Sequence, residues 1–118
     1  MHSKNIFGHG FTPEQIARGK CTLRHAEEWR ATNAQAWACI VSHALDLASK
    51  QQPIAAQSLI ESLRKKAFVD RFGKDTKTNN SYAAIFARWL VREHPQTAQF
   101  VELRRSVFDV LIGGRGGR

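Results

Sequence analysis

Apolar residues recur at helical spacing along most of this chain. After Thr32-Asn33 they fall at positions i, i+3, i+4 and i+7, which places their side chains on one face of an α-helix. These positions are Trp37, Ile40, Val41, Ala44, Leu45 and Ala48. Similar stripes occur over residues 54–69, after Asn79 and after Gln96-Thr97. The pattern therefore predicts an all-α fold.

Local cap signals predict where the helices of the N-terminal half begin and end. The Thr-Pro-Glu-Gln run at 12–15 combines a cap residue, a proline for the first helical position and a glutamine that completes a capping box. Gly19 is predicted to end this short helix. Residues 23–50 contain neither Pro nor Gly, but Thr32-Asn33 is a second cap signal, so we predict a break there.

The C-terminal half is predicted to contain three helices. The first covers 54–69 and is followed by a polar, glycine-containing connection at 71–78, which we interpret as a loop, although a short β-hairpin also fits. Asn79 or Thr78 caps the next helix, which ends before Pro95. The last helix is predicted to run from Gln96 or Thr97 to the Gly113-Gly114 pair.

These elements predict one domain built as an orthogonal bundle of about five helices. Its core would resemble a helix-turn-helix, with the two helices flanking residues 71–78 as partners. We predict that the domain spans 12–112, between a flexible N-terminal arm at 1–11 and a flexible Gly/Arg tail at 113–118. The oligomeric state is not predicted.

Composition limits the class of protein. The chain has 118 residues, of which 42% are hydrophobic and 24% charged, so one globular domain with an ordinary core is expected. The N-terminus lacks the apolar region of a signal peptide, and no apolar run is long enough for a membrane span, so we expect a cytoplasmic protein with no membrane partner.

The charge is strongly positive and uneven. The net charge is +8, of which residues 1–60 contribute +2 (six basic, four acidic) and residues 61–118 contribute +6 (twelve basic, six acidic). Such an imbalance favours an anionic partner, which is nucleic acid, an acidic protein or a membrane surface. The alternative is a solvated basic surface without a ligand.

The basic residues gather around the two helices of the proposed helix-turn-helix. In such motifs the start of the second helix meets base edges, here Asn80, Ser81 and Tyr82, with duplex DNA as the favoured partner. Phosphates would be contacted by Arg64, Lys65, Lys66, Arg71, Lys74, Lys77, Arg88 and Arg92. The connection is longer than the usual turn of three or four residues, and capping alone would also explain Asn79.

Two Cys-x3-His pairs, Cys21/His25 and Cys39/His43, raise the possibility of a zinc site. Their spacing is not typical of zinc-binding pairs, and a cysteine beside an apolar stripe is usually a small core residue. We therefore predict no metal and no cofactor. Adjacent pairs such as Glu27-Glu28 and Ser42-His43 point in different directions on a helix, so we also predict that the protein is not an enzyme.

Several short motifs in a fixed order resemble a group of small phage- and prophage-encoded proteins. The motifs are Trp29 to Asn33, Leu59-Ile60-Glu61 to Leu63-Arg64, Asn79-Asn80-Ser81-Tyr82 to Ala87-Arg88, Pro95, and Phe100 to Leu103-Arg104-Arg105. The resemblance brings no specific activity. Phage proteins of this size are often DNA-binding regulators, or inhibitors of host defence such as anti-CRISPR proteins.

The resemblance thus implies an alternative to DNA binding. A non-enzymatic inhibitor would bind and occlude a host defence effector through exposed aromatic or arginine residues. The candidates for that contact are Trp29, Trp89, Arg104 and Arg105. A virion or assembly component is a third possibility.

Overall fold

Five α-helices form most of the computed structural model, which describes residues 10–66 and 68–112. They are α1 Pro13–Thr32, α2 Ala34–Ser49, α3 Ala56–Arg64, α4 Ala83–Glu93 and α5 Phe108–Leu111. Short 3₁₀ helices at Asn80–Tyr82 and Pro95–Thr97 precede and follow α4. The predicted all-α bundle is confirmed. The tail at 113–118 and most of the arm at 1–11 lie outside the described residues, and Phe11, placed in that arm, is buried.

The first helix begins at the predicted capping box but is much longer than predicted. Thr12 Oγ1 accepts from the Gln15 amide at 3.1 Å, and Gln15 Oε1 accepts from the Thr12 amide at 2.8 Å. The prediction that Gly19 ends the helix is wrong. A Cβ at Gly19 would lie 2.9 Å from both Val107 and Leu111 side-chain atoms, so the glycine allows the segment containing α5 to pack closely on α1.

The predicted break at Thr32-Asn33 is confirmed. Asn33 leaves helical geometry at φ −124° and ψ 50°, and both its backbone amide and its side-chain Nδ2 donate to Trp29 O. Asn33 O then accepts from the Trp37 amide at 3.0 Å, in the first turn of α2. A single asparagine therefore closes one helix and opens the next.

The helix predicted for 54–69 is shorter at both ends, and its start is later because Ile54 pairs with a distant segment. The Ile54 amide donates to Phe100 O at 2.8 Å, and Ile54 O accepts from the Glu102 amide at 3.0 Å, which forms a parallel bridge with Val101. α3 begins two residues later and ends at Arg64.

The long final helix predicted after Gln96-Thr97 is also wrong. The same pairing with Ile54 holds residues 100–102 in a non-helical conformation, and the backbone stays irregular until α5 begins at Phe108. Thr97 is fully buried and its hydroxyl contacts Leu90 O and His94 O, which fixes the chain as it leaves α4.

The core is centred on the aromatic residues of α4. The Phe86 ring is fully buried, and its centroid lies 5.2 Å from that of Trp29 and 5.1 Å from that of Trp37. Trp89 packs 5.7 Å from Phe86 and 5.5 Å from Trp37. α4 is thus the central helix, with all six residues from Ile85 to Leu90 buried.

Candidate nucleic-acid interface

A cationic pocket lies between the C-terminal end of α3 and the chain that leads into α4. It has a volume of about 200 Å³, and we call it the cationic pocket. Its lining residues are Leu63, Arg64, Lys66, Phe68, Thr76, Lys77 and Thr78. Three of these carry positive charge and none is acidic. The pocket therefore brings together three of the predicted phosphate contacts from separate parts of the sequence.

Arg64 is held in the cationic pocket by one end of its guanidinium. Its Nη2 donates to Thr78 O at 3.0 Å and also to Asn80 Oδ1. Within the described residues, its Nε and Nη1 make no hydrogen bond, and no ion pair involves this side chain. A fixed guanidinium with remaining donors is suited to binding an anion such as phosphate.

The connection predicted as a loop contains a small hairpin, and we call residues 68–76 the hairpin. Val69 and Asp75 form an antiparallel bridge, supported by the bonds from Asp70 N to Lys74 O at 2.7 Å and from Thr76 N to Phe68 O at 3.0 Å. The helices α3 and α4 are therefore separated by a hairpin and not by the tight turn of a simple helix-turn-helix.

Three hydrogen bonds attach the hairpin and the residue after it to the corner between α1 and α2. The Arg71 amide donates to Thr32 O at 2.9 Å, and Thr76 Oγ1 donates to Asn33 Oδ1 at 2.7 Å. Trp29 Nε1 donates to Lys77 O at 2.8 Å. Because the turn and the C-terminal end of the hairpin are attached to the same corner, the position of Lys77 relative to the cationic pocket is fixed by the fold.

The remaining lysines and arginine of this region are exposed around the cationic pocket. Lys65 follows α3 directly, Arg71 lies at the hairpin turn, and Lys74 lines a second hollow together with Lys77. That hollow also contains Asp70 and Asp75. Between residues 64 and 77 six basic and two acidic residues give a net charge of +4, so the region as a whole is cationic.

Arg88 is not part of this surface, which corrects the prediction that it contacts phosphate. It is 1% exposed. Its Nε and Nη2 donate to Asp109 Oδ1 at 3.0 and 2.8 Å, Nη1 donates to Ala84 O at 3.0 Å, and Nη2 also donates to Arg104 O. Its cationic side chain is therefore neutralised inside the fold and joins α4 to the C-terminal segment. Sequence spacing gave no sign of Asp109 as its partner.

Some of the other predicted nucleic-acid contacts, in the 3₁₀ helix at Asn80–Tyr82 and in α4, are exposed, and others pack against the core. Asn80 and Ser81 are exposed, and the Ser81 amide donates to the capping Asn79 Oδ1 at 2.8 Å. Tyr82 is partly buried, with its ring 6.5 Å from Trp29 and 5.9 Å from Phe86. Burial, and to a lesser degree the Glu28 carboxylate, raises the pKa of the Tyr82 phenol. Arg92 is exposed, but it lies about 14 Å along α4 from the start of that helix.

Two of the residues considered for a protein partner are also in the core. Trp29 is 7% exposed and Trp89 is 3% exposed, so neither can be the exposed aromatic contact that the sequence suggested. Arg104 and Arg105 are exposed, and the guanidinium of Arg105 lies 4.4 Å from the Phe11 ring centroid. Of the four candidates, only these two arginines lie at the surface.

Arg30 has a structural role that sequence reasoning missed. Its guanidinium lies 4.7 Å from the Trp37 ring centroid and 5.0 Å from that of Trp89. It donates to both carboxylate oxygens of Glu93, at 2.8 and 2.6 Å, and this hydrogen bonding lowers the pKa of Glu93. Arg30 therefore covers the edge of the aromatic core, and its charge is already paired.

The metal-ligand pairs do not assemble. In the part of the chain that the structure describes, no group of three or more His, Cys, Asp or Glu side chains lies close enough to hold a metal ion. Cys21 is exposed, whereas Cys39 is partly buried with Lys66 Nζ 3.7 Å from its sulfur. Over the same residues, no helix has the length and apolar character needed to cross a membrane.

No protein-family model matches this chain, and no match was found among curated proteins or among solved structures. Any functional assignment therefore depends on the geometry described above.

Proposed function

We propose that this protein binds nucleic acid, with duplex DNA as the favoured form, and that the cationic pocket holds the phosphate backbone. The observation that carries the proposal is the pocket's lining of Arg64, Lys66 and Lys77 with no acidic residue. Cations that converge in a concave site without a neutralising partner favour a polyanion over a neutral ligand.

The surroundings of the pocket extend the same chemistry. Lys65, Arg71 and Lys74 are exposed nearby and would add contacts with neighbouring phosphates. Asn80 and Ser81 are exposed at the start of the 3₁₀ helix before α4, and Asn80 is bonded to Arg64. An exposed amide beside a phosphate contact is placed to meet a base edge, so these two residues are the candidates for base contacts.

The test is a salt series with random-sequence duplex DNA, measured by fluorescence anisotropy. About four to six phosphate contacts predict that log K falls against log salt with a slope of roughly −4 to −5. Replacing Lys77 with Gln is expected to reduce the slope by about 1 and to weaken binding equally for all sequences. Arg64→Lys keeps the charge but loses the planar donor group, so it separates simple charge attraction from directed hydrogen bonding.

Lys20→Gln is the matched control, because this exposed lysine lies on α1 about 14 Å from Trp29, the residue that contacts the pocket segment. It removes the same charge and should leave the salt slope unchanged. The proposal is wrong if the wild-type protein fails to bind duplex DNA at low salt, or if Lys20→Gln weakens binding as much as Lys77→Gln.

A second candidate is occlusion of a host defence effector, the role suggested by the resemblance to phage proteins. It is favoured by the exposed Arg104 and Arg105, which line a groove of about 420 Å³ whose other wall contains alanines of α3 and α4. An arginine pair beside a groove of small residues can anchor a protein partner, because arginine is enriched among the residues that contribute most to binding. Capture of one specific bacterial protein from nuclease-treated lysate, and its loss in Arg104→Ala/Arg105→Ala, would support this candidate over the first.

A further inference from the structure

The hairpin carries an exposed aromatic ring that is not part of the core and does not line the cationic pocket. Phe72 is 66% exposed and Val69, at the base of the same hairpin, is 50% exposed. Among the described residues, the one other large apolar side chain with such exposure is Val110, at 43%. Two of these three exposed apolar side chains therefore lie on the hairpin, next to the proposed backbone site.

The turn that carries Phe72 is rigidly built. Asp70 Oδ1 accepts from the Phe72 amide at 2.8 Å and from the Lys74 amide at 3.0 Å. Gly73 adopts φ +81°, a conformation that favours glycine, and its amide donates to Asp70 O at 3.0 Å. The ring thus projects from a preorganised turn, and ordering it on a ligand would require little loss of backbone entropy.

The chemistry around the ring is that of a contact with a nucleobase. The Arg71 guanidinium lies 5.0 Å from the Phe72 ring centroid, and Lys74 is two residues further on. Asp70 uses its carboxylate within the turn, while Asp75 is exposed. Aromatic rings beside arginine and lysine stack on bases while the cations meet the adjoining phosphates, whereas an apolar protein partner gains nothing from these charges.

The hairpin tip is close enough to the cationic pocket for one nucleic acid to contact both. From Phe72 to Thr76, which lines the pocket, the chain spans at most about 13 Å, because a strand rises about 3.3 Å per residue. That distance corresponds to about four steps of 3.4 Å along one nucleic-acid strand.

We infer that Phe72 stacks on an exposed nucleobase while the cationic pocket holds the neighbouring backbone, so that duplex DNA with an unpaired base is bound in preference to fully paired duplex. The inference rests on the proposed function. A paired base must first be unstacked before a side chain can reach its face, whereas an unpaired base has already lost that stacking. The face of an unpaired base is accessible both in a bulged duplex and in a single strand.

The experiment compares three DNAs of equal length: a paired duplex, the same duplex with one central unpaired 2-aminopurine, and the single strand. Affinity is measured by anisotropy at fixed salt, and stacking is followed by quenching of the 2-aminopurine fluorescence. The wild-type protein is expected to bind the bulged duplex about tenfold more tightly than the paired one, the lower part of the range for one stacked base. Tight binding of the single strand but not of the bulged duplex would contradict the inference, because the unpaired base would then not be sufficient for tight binding.

Variants at the tip separate stacking from simple hydrophobic contact. Phe72→Ala should remove the tenfold preference and the quenching, and should leave the paired-duplex affinity and its salt slope unchanged. Phe72→Leu retains apolar bulk without a ring and should resemble Phe72→Ala, whereas Phe72→Trp should keep the preference. Val69→Ala, on the same hairpin but without an aromatic ring, is the control and should behave as wild type.

The outcomes distinguish failure of this inference from failure of the proposed function. Salt-dependent binding of all three DNAs without preference, or an equal loss on all three in Phe72→Ala, overturns the inference and leaves the proposed function standing. No binding to any DNA at low salt overturns both. If Phe72→Ala changes no DNA affinity but abolishes retention of a nuclease-resistant protein partner, the tip is a protein contact and the inference is wrong.

Discussion

Arg88 and Asp109 form a buried ion pair whose disruption should cost much of the stability of the fold. Replacing Asp109 with Ala removes both bonds between its Oδ1 and the guanidinium and also the acceptor of the Ser106 amide, which lies 2.9 Å from Oδ2. The Arg88 side chain is 2% exposed, against 19% for Asp109. The variant therefore leaves a charged guanidinium inside the protein, and among the described residues only the Ala84 and Arg104 carbonyls remain as acceptors.

Removing one partner of a buried ion pair typically costs about 3–5 kcal/mol. We expect Asp109→Ala to lower the free energy of unfolding by about 3–4 kcal/mol, since two carbonyl acceptors remain for Arg88. That is a large share of the roughly 5–15 kcal/mol available to a domain, and would lower Tm by about 15 °C. Arg88→Met should cost less, because the Asp109 carboxylate that it leaves behind can reach water.

The decisive measurement is the double variant Arg88→Met/Asp109→Ala, compared with the single variants by urea unfolding. The buried tryptophans report the transition through their emission. Because the second substitution removes the stranded charge, the double variant should be more stable than Asp109→Ala alone. Arg92→Met, exposed one turn later on α4, is the control and should change stability by no more than about 0.5 kcal/mol.

Two results would refute the reasoning. One is a cost below about 1 kcal/mol for Asp109→Ala, the range of an exposed ion pair. The other is a double variant whose loss equals the sum of the two single losses. Arg88→Met should also leave the salt slope of DNA binding unchanged, whereas a residue that contacts phosphate would reduce it by about 1.

Three further outcomes follow from particular contacts. Gly19→Ala should lower the free energy of unfolding by about 1–2 kcal/mol despite the better helix propensity of alanine, because its Cβ would lie 2.9 Å from Val107. Adding Val107→Ala to this variant should recover part of the lost stability, as measured by urea unfolding. Tyr82 is the chain's one tyrosine, and its ultraviolet titration should show a pKa above 10.0 that falls in Glu28→Gln but stays raised through burial. Since a raised pKa favours the neutral phenol in the fold, the associated stability should be present below pH 10.0 and lost as pH rises through the folded pKa. The lowered pKa of Glu93 has the opposite sign, with stability present above its ordinary value of 4.5 and lost as pH falls. Glu93→Gln should therefore reduce the acid sensitivity of unfolding, by less than about 1 kcal/mol for this partly exposed pair.

The parts of the fold that sequence reasoning predicted depend on local chemistry. The capping box at Thr12, the break at Asn33 and the cap at Asn79 each need partners within four residues, and all three are present. Such contacts are encoded by neighbouring side chains, so they can be predicted without knowing how the helices pack. The apolar faces of α2 and α4 were predicted for the same reason.

The parts that were missed depend on distant residues. The bridge between Ile54 and Val101 removes the predicted start of one helix and most of another, although both segments have helical apolar spacing. Tertiary pairing overrides local propensity in such cases. Gly19 shows the same limit, because a glycine that ends a helix and a glycine that admits another segment are identical in sequence. Three of the eight predicted phosphate contacts, Arg64, Lys66 and Lys77, line the cationic pocket, but its shape depends on the hairpin, in a segment that the sequence analysis interpreted as a loop.

The arginines show why net charge alone is a poor measure of a nucleic-acid surface. Arg88 is neutralised inside the fold and Arg30 is paired with Glu93 over two tryptophan rings, whereas Arg64 in the cationic pocket keeps donors that bond to none of the described residues. All three count equally toward the +8 of the sequence. Counterion release depends on the cations that actually reach phosphates. The salt slope should therefore follow the number of exposed cations around the pocket and not the formal charge of the chain. Eight phosphate contacts would give a slope near −7, and such a slope would place part of the binding surface elsewhere.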